Sequence, residues 1–128
     1  RHGYKGRKFG RERDQRRALL KGLATSLVMH GKIETTLQKA KETSRYIEKV
    51  ITKAKKGDLA GRRQVIAALS TQAAAFKLFD EIAPQLTARN SGHVRVVRTR
   101  LRVGDGAQLA VIEFVDELKA VPKEEVKA

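Results

Sequence analysis

The residues best equipped for chemistry in this 128-residue chain are its cations, and they are grouped. Arg1, Lys5, Arg7, Lys8, Arg11, Arg13, Arg16 and Arg17 crowd the N-terminus beside His2, and before Lys21 the only acids are Glu12 and Asp14. An arginine guanidinium presents a planar fork of donors that fits phosphate, and lysine adds a mobile point charge. Tyr4 and Phe9 lie among these cations and can stack on unpaired bases. A second group comes late. Arg98, Arg100 and Arg102 alternate with Val97, Thr99, Leu101 and Val103, which predicts one cationic and one apolar face on a strand. Like charges so placed repel unless phosphate, or a carboxylate such as Glu113, neutralises them. His93 opens that strand and is a further candidate for contact with nucleic acid. Arg62 with Arg63, and Lys39, Lys41 and Arg45, are weaker candidates, because charged helix faces are usually just solvated.

The balance of charge narrows the partner. Lys and Arg number 28 against 14 Asp and Glu, a formal charge of +14 with a pI near 10.6. Such an excess contributes nothing to fold specificity and points to a polyanion, nucleic acid before an anionic membrane. The chain has no cysteine, which removes disulfides, thiolate metal sites and thiol nucleophiles and suits a reducing, cytoplasmic setting. His2, His30 and His93 are too far apart for a local metal motif, so no metal or other cofactor is expected. No serine sits in a nucleophile motif and no pair of acids has pocket-forming neighbours; an enzyme is not expected. No apolar run approaches the roughly 20 residues of a membrane span, and the basic N-terminus lacks the apolar segment of a signal peptide. Two other classes share the charge. A free-standing DNA or messenger-RNA binder should show a recognition helix or an aromatic-rich sheet, and aromatics are only 5%. A membrane-surface binder needs a basic helix with large apolar anchors, which the N-terminal segment lacks.

The elements that position these residues follow from periodicity. Residues 1–13, with Gly3, Gly6 and Gly10, read as an extended basic arm without a packed face. A first helix is expected from an Asp14 cap to Gly31, with Leu20, Leu23, Ala24, Leu27 and Val28 on one stripe. Lys32 to Thr36 reads as a strand. A second helix runs to Gly57 with Leu37, Ala40, Ser44, Ile47, Ile51 and Ala54 inward. Asp58 caps a third helix to about Leu69. Ser70 or Thr71 opens a fourth, whose stripe is Ala75, Phe79, Ile82 and Leu86 and which Pro84 should end. After a loop at Ala88 to Gly92, Val94–Val103 and Gln108–Val115 form a hairpin turning at Gly104 to Ala107. The expected architecture is α+β: about four helices against a small sheet of the early strand and the late hairpin. Residues 14–116 make one domain, and 117–128 a mobile polar tail.

Read as a whole, the sequence resembles bacterial-type large-subunit ribosomal protein seventeen, over residues 1 to 116. The matching stretches are the opening RH, GRKFGR, SLVMHGKIETTLQKAKE, ITKAKKGDLAGRR, KLFDEIAP and VGDGAQLAVIEFVD. The resemblance implies an α+β structural constituent of the large subunit that binds large-subunit ribosomal RNA near the nascent-chain exit region, beside neighbouring ribosomal proteins. It also implies RNA-facing roles for Arg1 to Arg17, for Thr35, Thr36 and Lys39 to Lys41, and for the approach to the hairpin at Arg89, His93 and Arg95. The chain departs from the usual family pattern at Gln15 and across Ser91 to Arg95.

Overall fold

The protein is described by a computed structural model, covering residues 6–119. Helix α1 (Arg13–His30) leads through Gly31 into strand β1 (Lys32–Thr36), which runs directly into α2 (Leu37–Lys56). Two short helices follow, α3 (Leu59–Ala68) and α4 (Gln72–Phe76), the latter widening into a π turn over Lys77–Ile82 and ending in a 3-10 turn at Ala83–Gln85. Strands β2 (Val94–Leu101) and β3 (Gln108–Phe114) close the chain. The sheet is antiparallel in the order β1-β3-β2, with Ile33 opposite Ile112 on one side and Val96 opposite Ile112 on the other. The expected α+β architecture is therefore the observed one.

Helix ends behave as their residues dictate. Gly31 takes φ 80° and its N–H bonds Leu27 O at 2.8 Å, stopping α1 in a left-handed turn that β-carbons disfavour. Asp58 accepts from the Gly61 N–H at 2.6 Å and so caps α3, and Thr71 does the same for α4 through Ala74 N–H at 3.2 Å. Gly61 is also where α3 meets α2: a β-carbon there would stand 2.6 Å from the Lys53 carbonyl oxygen. The start of α1 differs from expectation. Glu12 occupies the cap position without a side-chain bond, and Asp14 instead lies in the first turn, where its carboxylate faces the positive end of the helix dipole.

The core lies between the helices and one face of the sheet. Leu27, Ile47, Ile51, Leu78, Leu86 and Ile112 are its largest fully buried aliphatics, a set that suits a chain with few aromatics. Two inward positions shift by one residue from the expected stripes. Thr43 is buried where Ser44 was expected. Leu78 replaces Phe79, because the π turn advances each residue through a smaller angle and rotates the stripe. Beyond Asp116, where a mobile tail was expected, Leu118 packs against the core. Gln85 exchanges two hydrogen bonds with the Lys119 backbone, at 2.8 and 2.9 Å. The remainder of that tail, and Arg1, His2, Tyr4 and Lys5 of the arm, lie outside the described residues.

Candidate nucleic-acid interface

Residues 6–12 form neither helix nor strand and turn sharply at Phe9 and Gly10, both at positive φ (55° and 62°). Arg7 approaches Glu42 of α2 at 3.8 Å, and Arg11 donates to Phe9 O at 2.8 Å. Lys8 is exposed. From this turn the chain enters α1, which carries Arg13, Arg16 and Arg17 in its first turns. Among the described residues none of these three has a carboxylate within 4.0 Å. Arg13 and Arg17 are exposed and Arg16 is half-buried. The N-terminal end of a helix is the electropositive end, so three cations there oppose their own dipole, and Asp14 offsets only part of that cost. A bound anion would relieve it, because free N–H groups and guanidinium forks then point at the same charge.

The hairpin is organised differently. Val94, Val96 and Arg98 stand opposite Phe114, Ile112 and Ala110, so Arg98 shares the core-bearing face at its outer edge. A bulge then breaks the register between Arg98 and Leu101, and Leu101 pairs with Gln108. The predicted split into a cationic and an apolar face is thus corrected, since one inserted residue reverses the alternation. Arg100 reaches Glu34 of β1 at 3.2 Å, on the face opposite Arg98. Arg95 holds Glu113 at 2.8 Å, and Arg89 holds Asp116 at 3.2 Å. Arg102 pairs with Asp105 in the connecting loop, which spans Arg102 to Ala107 through Arg102 N–H to Ala107 O at 2.8 Å. That guanidinium, with help from the Ala107 N–H, holds the Asp105 carboxyl well below the usual carboxylate range, and the carboxylate in turn raises Arg102. Val97, Leu101 and Val103 are exposed, so the strand's apolar residues beyond Val96 do not join the core.

His93 requires a correction of its own. Its ring is wholly buried and so offers no surface to a nucleic acid. Nδ1 lies 3.0 Å from Glu48 Oε2, and Nε2 lies 3.2 Å from Lys55 Nζ and 3.3 Å from Arg89 O. An ammonium only donates, so a proton on Nδ1 given to Glu48 and a lone pair on Nε2 given to Lys55 satisfy the two side-chain contacts, and the approach of Nε2 to Arg89 O is then no hydrogen bond. The other Glu48 oxygen accepts the Val94 N–H at 2.9 Å, and Lys55 also donates to Arg89 O. The cluster fastens the start of β2 to α2, which makes His93 a structural residue.

The remaining candidates divide. Arg62 lies over the rings of Phe76 and Phe79, 5.1 Å from each centroid, with Asp80 at 4.0 Å. It braces α3 against α4, whereas Arg63 is exposed. Thr35 and Thr36 end β1 half-buried, Lys39 is half-buried, and Lys41 and Arg45 are exposed along α2. Arg45 shares Glu42 with Arg7, at 3.7 Å. Sequence reasoning missed a groove between α1 and α2, of about 590 Å³ on its α2 side, walled by Leu20 and Tyr46 with Arg45 and Lys49 at its rim. Tyr46 donates to the Ala68 carbonyl at 2.6 Å. Burial pushes its phenol up from the ordinary value, and the nearby Arg17 charge opposes that rise. The spacing of Leu20 with Leu27 reads as core, so only the helix pairing reveals the groove. Among the described residues no cluster of His, Asp and Glu could hold a metal, and no helix is long and apolar enough to cross a membrane.

Comparison with known proteins gives a consistent match. A family model described as Ribosomal protein L17 matches residues 19–115. The large ribosomal subunit protein bL17 of Clostridium acetobutylicum is 50% identical over 109 residues, 85% of this chain and 96% of the relative. The protein of the same name from Campylobacter lari is 51% identical over 115 residues, 90% of this chain and 97% of the relative. That from Mesorhizobium japonicum is 47% identical over 116 residues, 91% and 81% respectively.

Proposed function

The chain belongs to the L17 family of large-subunit ribosomal proteins, a structural and non-enzymatic family, and from that premise we propose that it grips large-subunit ribosomal RNA through the cations entering α1. Its setting is the cytoplasmic ribosome, where such a protein meets ribosomal RNA and other ribosomal proteins. The observation that carries the reading is the set Arg13, Arg16 and Arg17, held at the electropositive end of α1 with no carboxylate within 4.0 Å among the described residues. Phosphate supplies the missing countercharge and is met by a rigid helix end, with Arg7, Lys8 and Arg11 extending the surface. Arg63, Lys41 and Arg98 are secondary contacts in the same proposal. The action is binding without turnover: RNA segments that repel one another are brought together when their charge is neutralised. A position near the nascent-chain exit region rests on the family resemblance alone.

The test is the salt dependence of binding to a large-subunit ribosomal RNA fragment. With about six to ten phosphates contacted, affinity should fall by about 10³ to 10⁵ between roughly 50 and 200 mM salt. In lysate, the protein should sediment with the large subunit after a salt wash. A flat salt response, or recovery as free protein or on DNA, would overturn the reading.

A further inference from the structure

Two helix faces converge at Leu20 and Tyr46. On α1, Arg13, Arg16, Arg17 and Leu20 follow helical spacing and line a recess of about 310 Å³ that Tyr46 closes. On α2, Glu42, Arg45, Tyr46 and Lys49 follow the same spacing and line the adjoining space of about 590 Å³, which Leu20 of α1 and Gly6 of the segment before it close from the other side. An aliphatic and an aromatic side chain therefore form the shared wall, with arginines on both rims.

We propose that this groove seats a single unpaired nucleotide of RNA, its base against Tyr46 and Leu20 and its phosphate toward Arg16 and Arg17. The proposal rests on the RNA-binding reading above and names a subsite within it. Three observations support a nucleotide over another occupant. The space falls within the roughly 300–1,000 Å³ typical of small-molecule sites. The Tyr46 ring is held in place, because its hydroxyl is committed to Ala68 O at 2.6 Å, and a fixed ring stacks on a base with little loss of entropy. The acids that border the groove are already engaged. Glu42 lies between Arg7 and Arg45, and Glu48 accepts from His93 and Val94. The free charge facing the opening is thus positive, complementary to a phosphate and opposed to a basic peptide. Stacking on aromatic side chains is a common way for unpaired RNA bases to be held.

The experiment compares two RNA duplexes of equal length, one carrying a single bulged 2-aminopurine, with the full chain. The intact protein should bind the bulged duplex about tenfold tighter than the paired one, with the fluorophore quenched on binding. Leu20→Trp, which fills the groove, and Tyr46→Leu, which removes the ring, should each abolish the preference while affinity for the paired duplex stays put. Tyr46→Phe keeps the ring and should keep the preference. Circular dichroism and melting establish that each variant is folded. Equal binding of both duplexes by intact protein, or a preference that survives both Leu20→Trp and Tyr46→Leu, overturns the proposal. Failure of either duplex to bind in a salt-dependent way would instead defeat the underlying RNA-binding reading.

Discussion

Arg13, Arg16 and Arg17 on α1 and Arg95, Arg100 and Arg102 on the hairpin look equivalent in the sequence, yet the fold treats them in opposite ways. The hairpin arginines hold Glu113, Glu34 and Asp105, so much of their charge is answered within the protein. The α1 arginines meet no carboxylate within 4.0 Å among the described residues and stand where their own helix dipole disfavours them. A cation that the fold balances can serve the fold; one that it leaves unbalanced needs something outside. The binding surface is marked less by the density of positive charge than by the absence of local compensation.

Charge removal separates the two sets of arginines most directly. Replacing Arg13, Arg16 and Arg17 with Gln should lower affinity for a large-subunit RNA fragment on the order of 100-fold and reduce the salt slope by about two to three units. Melting should change little, and relief of the dipole conflict could raise it. The matching replacement of Arg95, Arg100 and Arg102 should lower affinity less than about fivefold, with a slope change below about one unit. Equal losses from the two triples, measured by filter binding across a salt series, would mean that the helix and hairpin arginines do not differ in their need for an outside countercharge.

Stability sharpens the same contrast. Glu48→Ala leaves the buried His93 ring and the Val94 N–H without their acceptor and should cost about 2–4 kcal/mol in denaturant unfolding. RNA affinity of the folded fraction should not fall, because the buried His93 ring only anchors β2 and the change removes a negative charge from the groove wall. A variant that stays fully stable but loses RNA would return His93 to the interface.

The smallest effect concerns the Arg102–Asp105 pair. Because its native midpoint is depressed, Asp105 contributes stability above its unfolded pKa of about 3.9, and that contribution fades as pH falls through the lower native value. NMR titration should place the Asp105 midpoint below the ordinary range, and Arg102→Gln should bring it back up. An ordinary midpoint in the intact protein would mean that the pair is not formed and that Arg102 is as unbalanced as the α1 arginines.

Much of this was legible beforehand. Gly31 and Asp58 announced their helix boundaries, Ser70 or Thr71 narrowed a third to two residues, and the early strand and late hairpin read as the sheet that forms, because capping and β-branched runs are local signals. What stayed hidden was relational. Nothing in the spacing of Arg98, Arg100 and Arg102 reveals a bulge, which depends on how β2 settles against β3. His93 reads as a strand-opening histidine available to nucleic acid until Glu48 and Lys55, far away in sequence, are folded onto it. The π turn that moved Phe79 outward, to be covered by Arg62, likewise has no local signature. The groove at Leu20 and Tyr46 exists only once α1 and α2 are paired. For the same reason the uncompensated character of the α1 arginines could be suspected from composition but not assigned to particular residues.

Arginine-selective modification of the large subunit, mapped by mass spectrometry with and without digestion of its RNA, examines the point at its source. Arg13, Arg16 and Arg17 should be shielded from phenylglyoxal while the RNA is intact and should react once it is digested. Should they react as fully in the intact subunit as in the free chain, the helix end would be facing water, and phosphate would not be the countercharge it lacks.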